Sequence, residues 1–253
     1  MTVKLINANE IKELFKHWGE FSKVCYNTQN IPTHKIGEHC YKSGHFSGSR
    51  TRYFEFEITD CPRAIIDQLV RHEQGVVKNV QSTRYVDKNG FTYDIPIEIQ
   101  DNDNLVYDFV EHMETTKQLY FRMQEYIIGK GKSKERANEQ ARNVLPLGVH
   151  TNCTIGFTIE GLIHYMNVRL CKRAEKEHQD LARAIRNAVL DLLPELKDSL
   201  VPQCEALLYC PESRGCGRYP NKTETLNRLN YINKLYDLKS VDIIEEKIKK
   251  IYK

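Results

Sequence analysis

The sequence lacks the features of a membrane or secreted protein. Its longest apolar runs are a few residues, such as 64–66, whereas a membrane-spanning helix needs about 20. The N-terminal segment carries charges throughout and contains no apolar stretch followed by a cleavage site, so we expect no secretory signal. Without such a signal, we expect a cytoplasmic protein that has no membrane partner.

A large excess of one charge is also missing. Lys and Arg number 37 against 34 Asp and Glu, which gives a formal net charge of +3 over 253 residues. A nucleic-acid-binding domain normally has a stronger basic bias, so we expect no nucleic-acid partner. Any anion site in this chain must therefore be a local cluster of basic side chains.

The C-x2-C spacing of zinc knuckles is absent too. Eight cysteines are present, and in a cytoplasmic protein we expect reduced thiols. Cys204, Cys210 and Cys216 form a C-x5-C-x5-C pattern, which could supply three thiolates to a metal but needs a fourth ligand. We therefore predict packed or exposed thiols and no metal, with a metal site as the alternative.

The helix and strand signals are mixed along the chain, and no repeat or glycine-, proline- and serine-rich linker divides it. We predict one α+β domain over 1–220, with a central antiparallel sheet flanked by long helices, and a C-terminal amphipathic helical extension over 221–253. Apolar spacing predicts helices over 10–23, 63–73, 105–127, 133–144, 223–252 and, as one helix or two, 156–192. Strands are predicted over 52–58 and 75–86, and turns over 60–62 and 88–90.

Two neighbouring polar segments could form an anion pocket. The segment Gln68-Leu69-Val70-Arg71-His72-Glu73 ends a predicted helix, and Asn79-Val80-Gln81-Ser82-Thr83-Arg84-Tyr85 follows it. Arginine forks bind phosphate through paired hydrogen bonds, and hydroxyl and amide side chains add directional bonds. The alternative is a helix face beside a polar strand edge.

Three further segments are ambiguous when each is taken alone. Arg142, shortly before Pro146, fits an ordinary charge at a helix end. Arg169 and Arg173 have i, i+4 spacing on one predicted helix face, which suits an anion held between them or water around both. The small residues of 44–50 allow a backbone to approach a ligand closely, or form an ordinary turn.

Taken together, these segments resemble the flavin-dependent thymidylate synthases. The matching motifs are Gly-His-x-Ser at 44–47, Gln-x-x-Arg-His at 68–72, Asn-x-x-Ser-x-Arg-Tyr at 79–85, Ala-Arg-x-Val-Leu-Pro at 141–146 and Asn-x-Arg at 167–169. Their order and separation agree with the family, and the resemblance covers about residues 8–195.

The resemblance implies an enzyme, a methyltransferase that converts dUMP to dTMP. In this family methylenetetrahydrofolate gives the carbon, NADPH gives the reducing equivalents, and FAD passes them on. The family is homotetrameric, with FAD at the subunit junctions. No enzyme cysteine attacks the uracil ring.

The resemblance also implies roles for individual residues. Arg169 matches the family's catalytic arginine, which stabilises ionised uracil and so activates C5. The positions that match the dUMP site are Gln68, Arg71, Ser82, Thr83, Arg84, Arg142 and Arg169. The positions that match flavin contacts are His45, Ser47, Arg71, His72, Glu73, Val80, Thr158, Glu160 and His164.

The chain departs from the family pattern mainly around the flavin. Glu73 stands where an arginine is usual, and Val80 and Arg50 each stand where a glutamate is usual. Thr158 and His164 replace asparagines. Two alternatives stay open: a related flavoenzyme that methylates or hydroxymethylates another pyrimidine nucleotide, such as UMP, and a non-catalytic nucleotide- or RNA-binding relative that uses the arginines as a phosphate surface.

Overall fold

The computed structural model describes residues 1–26 and 30–235. Its centre is a four-stranded antiparallel sheet in the order β1-β2-β4-β3. The strands are β1 (Thr2–Leu5), β2 (Phe54–Pro62), β3 (Val76–Val80) and β4 (His150–Phe157). The predicted α+β class with a central antiparallel sheet is therefore confirmed.

Helices surround this sheet. Those in the described residues are α1 (Ala8–Lys12), α2 (Leu14–Tyr26), α3 (Thr33–Lys42), α4 (Arg63–Leu69), α5 (Asp103–Gly129), α6 (Lys134–Ala141), α7 (Ile159–Arg169), α8 (Lys176–Leu190), α9 (Gln203–Leu207) and α10 (Lys222–Leu235). In this part of the chain, none of them combines the length and the apolar character needed to cross a membrane.

The first predicted helix, over 10–23, is two helices. α1 ends at Lys12, and the backbone N–H of Glu13 donates to the carbonyl of Glu10 at 3.3 Å, which tightens the last turn before α2 begins. The predicted tail helix over 223–252 corresponds to α10 as far as Leu235, and its remainder lies outside the described residues.

β2 has the alternation of a half-buried strand. Phe54, Phe56 and Ile58 are buried, whereas the glutamates between them are exposed. The predicted turn at 60–62 is wrong, because the strand continues to Pro62 through a bulge. Asp60 adopts φ 53°, and its N–H donates to Oδ1 of Asn152 at 3.0 Å. Asp is among the residues that tolerate this left-handed conformation, so a turn-like sequence is accommodated inside the sheet.

The sequence did not predict β4, the strand that pairs with both β2 and β3. Thr151, Cys153, Ile155 and Phe157 face the core, but two of these four are not strongly apolar, which masks the alternation. The predicted helical segment 156–192 therefore begins with the end of a strand. The helix-pair alternative is otherwise confirmed, as α7 and α8.

The core lies between one face of the sheet and the helices packed on it. The rings of Phe56 and Phe157 pack edge to face with their centroids 6.2 Å apart. The ring centroids of Phe157 and Tyr165 of α7 are 5.0 Å apart. Leu181 and Ile185 of α8 complete this cluster and are fully buried. The core therefore holds α7 against β4, the strand that directly precedes it.

We predict that Phe157→Ala destabilises the protein by about 3–5 kcal/mol, because it leaves a cavity between β4 and α7. Urea denaturation of both proteins measures the difference in unfolding free energy. The control is Thr154→Ala, at an exposed position of the same strand, where we expect a change below about 1 kcal/mol. Equal losses in both variants would contradict this account of the core.

Candidate functional site

Arg169 is the last residue of α7, and its guanidinium joins two residues of another helix end. Its Nε donates to Nε2 of His72 at 2.9 Å, and its Nη1 donates to Oε1 of Gln68 at 3.0 Å. Gln68 belongs to α4, and the N–H of His72 donates to the carbonyl of Leu69 at 3.1 Å, just beyond that helix. The ends of α4 and α7 thus bring Arg169 to two residues that lie 97 and 101 positions before it in the sequence.

The partners of Arg169 are neutral. Burial, and then the charge of Arg169, lower the pKa of His72 to about 4, so near neutral pH its Nε2 accepts a hydrogen bond. In the described residues, no carboxylate forms an ion pair with Arg169. A guanidinium stays protonated in proteins, so the site holds a half-buried positive charge that is free to meet an anion.

A second histidine, which the sequence analysis missed, completes this cluster. His178 is fully buried on α8, and its Nδ1 lies 3.4 Å from Oε1 of Gln68. Burial and the nearby charge of Arg169 lower its pKa to about 3. Its Nε2 and the hydroxyl of Tyr165 have no hydrogen-bond partner in the described structure. The sequence does contain a signal for this position, because His178 has the helical spacing that places it on the same buried face as Leu181, Ala182 and Ile185.

A carboxylate that the sequence analysis also missed contacts the cluster from one side. Nε2 of Gln68 donates to Glu175, the residue that precedes α8. This bond orients the amide so that its oxygen faces Arg169. Glu175 also attracts Arg169 electrostatically, but in the described residues it forms no hydrogen bond or ion pair with the guanidinium.

Arg173 lines one cavity together with Arg169 but has a carboxylate partner of its own. α7 ends at Arg169, so the predicted placement of both arginines on one helix face is wrong. Arg173 lies in the turn beyond, where its Nη1 donates to Glu212 at 2.8 Å. Because Arg173 has a carboxylate partner, the anion that suits this region is expected at Arg169.

A second group of predicted residues lies in the turn after β3 and at the end of α6. Nη1 of Arg142 donates to Oγ1 of Thr83 at 3.4 Å, and Oγ of Ser82 accepts from the N–H of Arg84 at 3.3 Å. Arg84 pairs with Glu139 at 3.5 Å. Both arginines are exposed, as is Arg71. In the described residues, no hydrogen bond or ion pair joins this group to Arg169.

A third group lies at the start of α7. Arg50 donates to both carboxylate oxygens of Glu160, at 2.6 and 2.9 Å, which ties the segment of His45 and Ser47 to this helix. Both of those side chains are exposed. His164, one turn further along α7, faces His72 with ring centroids 6.2 Å apart. α7 therefore connects this group to the Arg169 cluster.

The other predicted flavin positions have different environments. Thr158 is the N-cap of α7, where its hydroxyl accepts from the N–H of Gly161 at 3.2 Å. Val80 packs against the main hydrophobic core, and Glu73 is exposed. The structure thus gathers His45, Ser47, His72 and His164 near α7, whereas it uses Thr158 and Val80 in the fold itself.

A close backbone approach sets the position of α7. A Cβ on Gly161 would lie 2.7 Å from the carbonyl oxygens of Gln74 and Gly75, so a side chain there would clash with backbone. Gly75 has φ 65°, and its carbonyl accepts from the N–H of Thr158 at 2.8 Å. These contacts hold the start of α7 against the loop that follows His72.

Comparison with known proteins agrees with the motifs. The family model described as "Thymidylate synthase complementing protein" matches residues 6–195. A flavin-dependent thymidylate synthase of Nitratidesulfovibrio vulgaris is 35% identical over 181 residues, covering 71% of this chain and 74% of its own length. One from Pyrococcus furiosus is 30% identical over 210 residues, covering 79% and 82%.

Solved structures share the fold. A crystal structure of thymidylate synthase X from Helicobacter pylori with FAD and dUMP matches with a TM-score of 0.54 and 20% identity, over 74% of this chain and 94% of that one. A second structure of the same protein with these ligands gives a TM-score of 0.56 over 81% and 99%. The family match and the curated relatives confirm the resemblance: the chain belongs to the flavin-dependent thymidylate synthases.

Proposed function

We propose that this chain methylates dUMP at C5 to form dTMP, with methylenetetrahydrofolate as the carbon donor and NADPH as the reductant. The observation that carries the proposal is the half-buried guanidinium of Arg169, which has neutral partners. Family membership supports it, as do the FAD and dUMP bound to thymidylate synthase X of Helicobacter pylori. The free state of all eight cysteines fits an enzyme of the reducing cytoplasm.

Arg169 is suited to stabilise the uracil ring as an anion. Negative charge that develops on the ring would meet a fixed guanidinium in a partly desolvated site, where the attraction is stronger than in water. Gln68 and His72 hold the guanidinium in place without cancelling its charge. A protonated His72 could not accept the Nε hydrogen bond, so its low pKa is part of this arrangement.

Arg84 and Arg142 are suited to bind the nucleotide phosphate. Both are exposed, and the hydroxyl groups of Ser82 and Thr83 lie beside them. The carboxylate of Glu139 lies 3.5 Å from Arg84, a longer contact than a bidentate pair, so phosphate can replace it. Arg71, on the connection between α4 and β3, is a further exposed cation for the nucleotide or the flavin.

The residues near the start of α7 fit a flavin. The exposed side chains of His45 and Ser47 can form hydrogen bonds with a flavin. The imidazole rings of His72 and His164, which lie edge to face, can pack against it. Bound FAD would carry reducing equivalents from NADPH to the transferred carbon. Glu160 is expected to act through Arg50, because their bidentate pair occupies both carboxylate oxygens.

We also propose a homotetramer, supported by the surface of α5. Its buried residues, such as Met113 and Tyr120, form one side of the helix. Exposed apolar residues flank that side in two further rows, at 105, 119 and 126 and at 107, 121 and 128. A helix that is apolar on three sides needs more cover than one chain gives, and neighbouring subunits would supply it.

We predict that Arg169→Lys lowers the turnover number for dTMP formation by at least about 100-fold. Lysine lacks the planar guanidinium, whose positive charge is delocalised alongside the uracil ring. Chromatographic detection of dTMP, with dUMP and UMP compared as substrates, measures the effect. The control is Arg183→Lys on the exposed side of α8, for which we expect little change. Turnover of Arg169→Lys within a few-fold of wild type would remove Arg169 from this role.

We predict that acid destabilises the protein through the half-buried His72 and the fully buried His178. Their pKa values in the folded state, about 4 for His72 and about 3 for His178, lie below the ordinary 6.5. As pH falls below about 6.5, the two histidines bind protons in the unfolded chain but stay neutral in the folded chain. The free energy of unfolding therefore decreases until about pH 3–4.

His178→Leu tests this origin of the acid effect. The variant removes one of the two groups, so its unfolding free energy should fall less steeply than that of wild type between pH 6.5 and 4. Denaturant titrations at several pH values give both slopes, and His34→Gln on the exposed surface of α3 is the control. If His178→Leu and wild type have the same slope, His178 is not one of the buried neutral groups.

We predict that the wild-type protein has four times the mass of one chain in light scattering, and that Phe121→Glu shifts it to smaller species. The new carboxylate would be buried without a partner at a subunit contact. The control is Arg122→Glu, at an exposed position on the polar side of α5. A wild-type monomer that retains FAD would rule out a site shared between subunits.

A further inference from the structure

Four cysteines line one cavity beside the end of α7. Cys204, Cys210 and Cys216 come from the C-terminal segment, and the fold adds Cys171, two residues after Arg169. The cavity has a volume of about 320 Å³. The C-x5-C-x5-C pattern lacks a fourth ligand in sequence, and Cys171, which lines the same cavity, can supply it. We propose that these four thiolates bind a single zinc ion.

The polypeptide around the cavity is held at several points. Nδ2 of Asn167, on α7, donates to the carbonyl of Val201 at 3.0 Å, which fixes the chain just before α9 and Cys204. The N–H of Cys210 donates to the carbonyl of Pro220 at 2.7 Å and so closes the base of the loop 210–220. The contact of Arg173 with Glu212 holds the same loop against the turn that contains Cys171.

The loop also passes very close to one of the sulfurs. A Cβ on Gly215 would lie 3.0 Å from Sγ of Cys210, so glycine allows the backbone to curve around this thiol. Gly217, with φ 82°, turns the chain immediately after Cys216. Backbone that curves around a cysteine sulfur can donate N–H groups to a thiolate, as the outer groups of metal sites do.

The charges favour a cation among the thiols. The thiols of Cys171, Cys210 and Cys216 all lie within electrostatic range of Cys204, and thiolates placed this close repel each other. A divalent ion reverses that repulsion, and thiolate ligands favour zinc over calcium or magnesium. Lys172, Arg173 and Arg218 also line the cavity and suit the net negative charge of a zinc ion with four thiolates.

The thiols are not yet at coordinating distance. In the described residues, no three His, Cys, Asp or Glu side chains already meet as metal ligands. Zinc–sulfur bonds are about 2.3 Å long, so binding must draw the thiols inward. Among these four cysteines Cys216 is the exposed one, and a glycine flanks it on each side. The ion would fasten the loop 210–220 to the turn beyond Arg169.

Metal analysis of the full-length chain, purified without chelator under reducing conditions, tests the site directly. We expect one zinc per chain by elemental mass spectrometry, and four cysteines that react with a thiol reagent only after the metal is removed, in addition to those that burial shields in both states. Replacing zinc with Co²⁺ should produce the visible absorption bands of a tetrahedral cobalt–thiolate centre. These readouts do not depend on dTMP formation.

Two serine variants locate the site. Cys204→Ser and Cys216→Ser should each lower the zinc content at least ten-fold after dialysis, whereas Cys25→Ser, at an exposed position on α2, should retain it. If a variant fails to fold, the cobalt spectrum and thiol count of wild type decide alone. The proposal is overturned if wild type holds less than about one tenth of a zinc per chain, if iron and sulfide occupy the site, or if these cysteines form disulfides.

Discussion

The site depends on keeping one positive charge half-buried without cancelling it. A guanidinium in that position would normally attract a carboxylate, and an ion pair would then occupy the place of a ligand. Here the nearest acceptors of Arg169 are the amide oxygen of Gln68 and the imidazole nitrogen of His72. The imidazole can serve only because burial keeps it neutral. The packing that buries His72 therefore determines the electrostatics of Arg169.

α7 carries this arrangement from one end to the other. Its N-terminal turn holds Glu160, and through Arg50 it holds the segment of His45 and Ser47. Its last residue is Arg169. Because β4 leads into α7 through a single residue, the N-cap Thr158, the hydrophobic core that orders the sheet also aligns the helix. The departure at position 50 has a physical reason as well: Arg50 supplies the partner that Glu160 needs.

Much of the fold and of the candidate site could be predicted from the sequence, for different reasons. The apolar alternation in β2 and the apolar spacing in α5 are local patterns, and such patterns can be recognised in the sequence. The motifs around Gln68 and Arg169 identified the family, which was then confirmed. The sequence did not predict β4, because Thr and Cys occupy two of its core-facing positions. It did not place His178 in the site either, because only tertiary packing shows which groups the ring contacts. The convergence of Cys171 with the C-terminal cysteines is likewise a product of the fold.

The meeting of Gly161 with the carbonyls of Gln74 and Gly75 has a consequence for how this enzyme can diversify. Side-chain substitutions cannot repack backbone atoms that are already in van der Waals contact. The spacing between α7 and the loop after His72 therefore cannot change through such substitutions alone. The exposed turn at 82–85 has no such constraint. We therefore expect the turn at 82–85 to tolerate substitutions that position 161 cannot accept.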